Sequence, residues 1–221
     1  EWMLLKRYSP KTRKNYLWIL NVFLRDIGKS ISQIERDDVE KYFQEKIKRW
    51  MSISHHKQLT WVLKLFFFRF LERKDIIWNE LYPEKWEHKL PNILSKSEVK
   101  KLLDGAKNLK HKTILTLIYA GGLRLWECVN LKIEDIDSKR MTLKIKQAKG
   151  KKDRYVPLAP KLLELLREYY IKYAPSNYVF EWQFSGSYSE RSIQKIMQQS
   201  LQSAGILKQA TVHTLRHSYA T

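Results

Sequence analysis

The sequence has a single cysteine, Cys128, and lacks any apolar run long enough to cross a membrane. One cysteine excludes an internal disulfide and fits a reducing compartment, so we expect a cytoplasmic protein. The apolar stretch 63–71 is interrupted by Lys64 and Arg69, whereas a membrane-spanning helix needs about 20 consecutive apolar residues. These absences argue against a disulfide-stapled secreted domain and against a transmembrane protein.

Few residues in the sequence have the spacing of metal ligands. His213 and His217 are four residues apart, but no cysteine or acidic residue nearby completes a zinc set. We therefore expect no metal ion and no other cofactor, and a metal-dependent nuclease is disfavoured.

Acidic residues are few relative to basic ones: 23 Asp and Glu stand against 42 Lys and Arg, for a net charge of +19. A charge of this size predicts a polyanionic partner, most commonly nucleic acid. A soluble basic protein without such a partner is the alternative. Hydrophobic residues make up 43% of the chain, which excludes a disordered protein.

Apolar periodicity predicts an all-helical first half. Helices are expected over about 10–27, 37–50 and 54–74, the last with Phe66, Phe67 and Phe70 facing inward. Ser9-Pro10 predicts the start of the first helix, and Gly28 its end. Pro91 marks a linker at 89–92, which separates a domain over 1–88 from a second over 93–221.

The second half predicts a mixture of helices and a small antiparallel sheet. Helices are expected over about 96–107, 110–120, 160–173 and 189–203, with one following Gly121-Gly122 and another starting at Thr211. Alternating apolar residues predict strands near 133–137, 141–146 and 155–158. Pro157 predicts that the last strand lies at an edge. The expected fold class is mainly α with a small antiparallel β-sheet.

Four residues would carry chemistry if the fold brought them together. Arg124 and Arg216 could bind phosphate oxygens, His213 could move a proton, and Lys149 at a hairpin tip could protonate a leaving alkoxide. Such a group would activate a phosphodiester without a metal. Each residue alone has an ordinary alternative: Lys149 as a solvated turn residue, Arg124 as an ion-pair partner of Glu127, and His213 as a helix-end histidine.

Three stretches resemble, in this order, the motifs of the tyrosine recombinase (phage integrase) family, especially its Xer-like and integron-like members. Residues 122–127 (GLRLWE) resemble its GLR-x-x-E box, and residues 148–158 (AKGKKDRYVPL) resemble its lysine hairpin. Residues 213–221 (HTLRHSYAT) resemble its H-x-L-R-H box. The segments 8–12 and 94–99 are similar to the starts of the family's two domains. The likeness covers nearly the whole chain.

The resemblance implies a helical core-binding (SAM-like) DNA-binding domain and an α+β catalytic domain, closed as a C-shaped clamp around duplex DNA. It implies that Arg124 and Arg216 bind the scissile phosphate, that Lys149 protonates the leaving 5′ oxygen and that His213 assists proton transfer. Glu127 matches the acidic position of its box and is expected to support the site. Cleavage would proceed through a 3′-phosphotyrosyl link.

No stretch of the sequence matches the family's last histidine or tryptophan motif or its nucleophilic tyrosine. Tyr219 belongs to the packing of the arginine helix and does not match the nucleophile. We therefore expect these 221 residues to bind DNA without cleaving it, and to be monomeric alone. Full-length members of the family assemble as tetramers on two DNA sites.

DNA contacts are expected from helix starts and from the hairpin. They are Lys11, Thr12, Lys14, His55, His56, Lys57, Lys151, Arg191, Gln194 and Lys195. For each residue, a solvated polar face is the alternative. The leading prediction is a site-specific recombinase. A non-catalytic DNA-binding protein derived from an integrase and a type IB topoisomerase-like enzyme remain alternatives.

Overall fold

The computed structural model describes residues 2–76, 81–83, 92–146, 153–182 and 186–219. The chain divides into two compact units, Glu1–His88 and Lys89–Thr221. Each unit has its own cluster of buried apolar side chains.

The first unit is helical. Its α-helices are α1 (Trp2–Leu5), α2 (Pro10–Ile27), α3 (Arg36–Lys48) and α4 (Ile53–Leu63). Ser9 caps α2 by accepting a hydrogen bond from the Thr12 amide, and Gly28 ends the helix with φ of 67°, as the sequence predicted. Phe23, Val39, Leu63 and Phe67 are fully buried at the centre of the unit.

The predicted long third helix is wrong in one respect. After α4 the chain continues as a π-helical segment, Lys64–Phe70, whose wider turn changes the direction of the following side chains. Phe67 stays in the core, but Phe70, predicted to face inward, is about half exposed. A period of 3.6 residues therefore does not predict the direction of Phe70, at the end of this segment.

The second unit contains six α-helices and three strands in its described residues. They are α5 (Lys96–Gly105), α6 (Leu109–Ala120), α7 (Leu125–Val129), β1 (Ile136–Asp137), β2 (Thr142–Ile145), β3 (Arg154–Pro157), α8 (Pro160–Tyr173), α9 (Glu190–Ser203) and α10 (Val212–His217). Of the first predicted strand, 133–137, only the last two residues are extended, because Ile133–Asp135 forms a 3₁₀ turn.

The three strands form one antiparallel sheet in the order β1-β2-β3, which leaves β3, with Pro157, at an edge as predicted. Leu143 pairs with Val156, and Ile145 pairs with Arg154. Directly paired residues project to the same face of a sheet, and Ile145 is buried. Arg154 therefore points toward the inside of the unit. The predicted fold class, mainly helical with a small antiparallel sheet, is confirmed.

Among the described residues, no helix combines the length and the hydrophobicity that crossing a membrane requires.

Candidate active site

The turn between α6 and α7 sets the position of Arg124. The Gly122 amide bonds the Tyr119 carbonyl, and the Leu123 amide bonds the Ile118 carbonyl, which is the Schellman pattern of a helix end. This pattern needs a left-handed residue, and Gly122 supplies it with φ of 54°. Leu123 is then fully buried, so Arg124 starts α7 from a fixed point.

Glu127 is the buried carboxylate of the site, and its side chain has no exposed surface. It accepts hydrogen bonds from the Arg124 amide at 2.7 Å and from Arg124 Nη1 at 2.8 Å. Arg154 reaches it from β3 with both Nη atoms, at 2.6 and 2.7 Å. A bidentate pair of this kind is among the strongest side-chain contacts available. Glu127 therefore orients two arginines at once.

Burial by itself would raise the pKa of Glu127, but the hydrogen bonds from Arg154 and Arg124 outweigh it. The pKa falls from its ordinary 4.5 to about 2. The same contact with Glu127 raises the pKa of Arg154. The carboxylate thus stays ionised through the physiological range, and its charge offsets one of the arginines around it.

We predict that this carboxylate makes the free energy of unfolding depend on acid pH. Because the folded pKa is lowered, its stabilisation is present above about pH 4.5 and is lost as the pH falls toward about 2. The free energy of unfolding decreases by about 3 kcal/mol when this contribution is lost completely. Urea unfolding of the wild type and of Glu127→Gln at pH 7, 5 and 3.5 tests it. The difference between the two proteins should shrink as the pH falls, and a constant difference would contradict the lowered pKa.

Arg216 comes from the other side of the site, on α10. Thr211 caps this helix, Leu215 anchors it in the core, and the Ser218 hydroxyl accepts a hydrogen bond from the Leu94 amide at 2.8 Å. Arg216 is half-buried, and in the described parts of the chain its guanidinium has no hydrogen-bonded carboxylate. Burial, and next the positive charge of Arg124, lower the pKa of Arg216. In the absence of a bound anion, the surroundings of Arg216 therefore disfavour its positive charge.

These side chains surround one open pocket of about 550 Å³. Its walls include Arg124, Arg154, His213 and Arg216, with Glu127 behind the two arginines that it binds. Three of the four residues that the sequence singled out for phosphate chemistry thus meet in space. Lys149, the fourth, lies outside the described residues, as does Lys151. Three arginines and one glutamate together leave two net positive charges for an anion.

Sequence reasoning assigned no site role to four residues that line the pocket: Arg154, Tyr155, His217 and Tyr219. All four lie inside the lysine-hairpin and H-x-L-R-H stretches, so the signal was present in the motifs. Tyr219 packs close to Gly122, where an added Cβ would lie 3.1 Å from the tyrosine ring, and edge-on to Tyr119. The pocket wall is therefore partly aromatic.

The residues expected to contact DNA fall into two groups. Lys11, Lys14 and His55 are exposed on the first unit. Thr12 shares a hydrogen bond with Ser9, and His56 is engaged in packing, with a ring nitrogen 2.7 Å from the Leu81 carbonyl oxygen and the ring against Phe43. Lys57 is half-buried.

On the second unit, Arg191, Gln194 and Lys195 share the exposed face of α9. The opposite face buries Ile193 and Ile196. The amphipathic helix therefore presents a polar, basic surface, and contact of either group with DNA remains a prediction.

Two known sequence profiles match the chain. Residues 92–221 match the sequence profile of the phage integrase family, and residues 1–77 match the N-terminal SAM-like domain of phage integrases. The chain belongs to the phage integrase family of tyrosine recombinases. The first match includes every motif that lines the pocket.

Individual relatives support the assignment. A tyrosine recombinase of Thermosipho africanus is 34% identical, over 98% of this chain and 80% of the relative. The crystal structure of XerA recombinase is 28% identical and superposes with a TM-score of 0.56, covering 99% of this chain and 79% of XerA. A lambda integrase dimer bound to a core site has a TM-score of 0.78 over 99% of this chain and 84% of its own, at 17% identity. The last likeness shows the fold alone.

Proposed function

We propose that the protein takes part in site-specific DNA recombination by binding duplex DNA and activating one phosphodiester in the pocket of Arg124 and Arg216. The observation that carries the proposal is Arg216, a half-buried cation with no carboxylate partner in the described parts of the chain. A phosphate placed between it and Arg124 would supply the missing negative charge. Membership of the tyrosine recombinase family supplies the reaction type.

The proposed reaction uses a small number of side chains, each with its own role. A tyrosine hydroxyl attacks the phosphorus, a P–O(tyrosine) bond forms, and the bond to the 5′ oxygen breaks. The transition state gains charge on its phosphate oxygens, which the guanidiniums of Arg124 and Arg216 stabilise. We assign the proton for the leaving 5′ oxygen to Lys149 and assistance in proton transfer to His213. The joined strand is later released by the reverse steps, so no external energy source is needed.

Glu127 has a supporting role. It is buried behind Arg124 and holds that guanidinium by one of its two Nη atoms. The other edge of Arg124 is left for the substrate. A carboxylate that was itself in the pocket would repel the phosphate, so its burial and its pairing with Arg154 are part of the function.

We infer the binding partner from the net charge and from solved structures of similar folds bound to DNA. A net charge of +19 favours binding to a polyanion in the cytoplasm, where we place the protein. Solved structures with this fold include a lambda integrase tetramer bound to a Holliday junction and XerH bound to its difH substrate. We propose duplex DNA as the partner and a tetramer on two sites for the full-length protein, with residues 1–221 monomeric alone.

Tyr219 lines the pocket, and we propose that it is not the nucleophile. Its ring packs against Gly122 and Tyr119, and its position does not match the family's nucleophile. Residues 1–221 by themselves should therefore bind DNA and leave its strands intact.

The test uses the full-length protein as its gene encodes it, with residues 1–221 beside it. A binding site is first selected from random duplexes, and a nicked version of that site then traps the covalent intermediate on a denaturing gel. We expect a covalent band from the full-length wild type and from full-length Tyr219→Phe, and none from residues 1–221. Site-specific binding without any covalent band would leave a non-catalytic DNA-binding protein. Loss of the band in Tyr219→Phe would instead make Tyr219 the nucleophile.

A further inference from the structure

Trp50 occupies a backbone position that is unfavourable for tryptophan. The Trp50 amide bonds the Ile47 carbonyl, and the Met51 amide bonds the Lys46 carbonyl, so α3 ends in a Schellman pattern. The residue at this point must adopt a left-handed conformation, and Trp50 has φ of 65°. A Cβ in that conformation crowds the following carbonyl, which is why glycine is usual there.

Two other helix ends of this type carry glycine. Gly122 ends α6 and Gly205 ends α9 with the same pair of hydrogen bonds and with φ of 54° and 64°. Two described helix ends of this pattern lack glycine: Trp50 ends α3, and Arg7, with φ of 55°, ends the short α1 with the same pair of hydrogen bonds. The fold gains nothing visible in return, because Trp50 is 94% exposed. In the described residues its ring meets no other ring and no cation.

Backbone strain at a fully exposed side chain indicates a role outside the folded chain. The surroundings identify the kind of partner. Lys48 and Arg49 are exposed immediately before Trp50, and no acidic residue occurs between Glu45 and Glu72. On the other side, Ser52 caps α4, whose first turn carries no acidic residue. A flat aromatic ring between cations and a positive helix end complements nucleic acid better than an apolar protein surface.

We propose that Trp50 packs against the sugar and base surface of DNA, while Lys48 and Arg49 bind the adjacent phosphates. The inference rests on the proposed function, since it names one contact surface for the same DNA. It assigns two different energetic roles to neighbouring residues. The ring contributes an apolar contact that does not depend on salt, and the cations contribute a contact that does.

The substitution Trp50→Gly separates binding from folding. Glycine relieves the left-handed strain and removes no buried surface, so the variant should be more stable than the wild type, by about 2–4 °C in Tm. Its affinity for a fluorescein-labelled duplex should nevertheless fall, by about five- to tenfold. Trp50→Phe keeps a ring and should retain most of the affinity. A variant that folds better and binds less cannot owe its defect to misfolding.

Two controls sharpen the measurement. Ala174→Gly relieves a second left-handed residue, φ 41° at the end of α8, without changing an aromatic group, and should raise Tm while leaving DNA affinity unchanged. Anisotropy titrations between about 50 and 200 mM salt give the slope of log K against log [salt]. Trp50→Gly should leave this slope unchanged, whereas Lys48→Ala and Arg49→Ala should each reduce it by about one phosphate contact.

The outcomes distinguish this contact from the proposed function. If the wild type binds DNA and Trp50→Gly binds it equally well, the DNA contact is overturned, and a protein partner becomes the candidate for this surface. A less stable Trp50→Gly would overturn the premise of strain, and with it the inference. A wild type that binds no DNA would remove the proposed function itself.

Discussion

Replacing Arg216 by alanine is expected to lower the rate of covalent protein–DNA complex formation by about 10²–10³-fold, the usual effect of removing one preorganised transition-state donor. The variant should fold at least as well as the wild type in the absence of DNA. Burial and the charge of Arg124 lower the pKa of Arg216, which means that the folded chain disfavours its charge. Because the charge of Arg216 is not compensated by a paired carboxylate in the described parts of the chain, its guanidinium is available to bind a phosphate.

The measurement combines the nicked-duplex assay on the full-length protein with thermal unfolding. Arg140 supplies a matched control, since it is largely exposed beside Asp137, and Arg140→Ala should change neither the rate nor Tm appreciably. Arg216→Lys should recover only part of the rate, because an ammonium cannot bind two phosphate oxygens in the fixed fork of a guanidinium. An Arg216→Ala protein of unaltered rate would refute the role of Arg216 at the phosphate.

Replacing Arg154 by methionine is expected to destabilise the second unit by about 3 kcal/mol, the lower end of the range for removing one partner of a buried ion pair. Methionine keeps the length of the side chain but leaves Glu127 with Arg124 alone. Glu127 would then be a buried carboxylate with one cation, and the free oxygen would attract the second edge of Arg124. The variant should therefore also react more slowly than its loss of stability explains.

A double-mutant cycle tests whether Arg154 acts through Glu127. In Glu127→Gln/Arg154→Met the buried carboxylate that lost its partner is itself removed, so the double variant should recover a large part of the stability lost in Arg154→Met. The exposed pair of Lys208 and Glu98 provides the control, and Lys208→Met should cost less than about 1 kcal/mol. Additive losses in the double variant would show that Arg154 stabilises the sheet independently of the carboxylate.

Local patterns in the sequence determine much of the fold. The Ser9-Pro10 start and Gly28 end of α2, and the alternation of Leu143 and Ile145, act within a few residues. Such short-range chemistry predicts where a helix or strand lies, and each of these predictions is confirmed. The π-helical segment Lys64–Phe70 was not predicted, because the apolar period used to place the helix assumes the α-helical turn and not the wider π turn.

Some features of the candidate site also follow from the sequence, and others only from the tertiary structure. By itself the sequence determined the family, from the three motifs, and the residue types for phosphate chemistry, Arg124, His213 and Arg216. Only the tertiary structure decided that β3 turns Arg154 onto Glu127, and that Arg216 has no such partner among the described residues. Arg154 and Glu127 are 27 positions apart, so their pairing depends on strand register and helix packing. The lack of such a partner for Arg216 among the described residues depends on the same packing. No local pattern in the sequence encodes either feature.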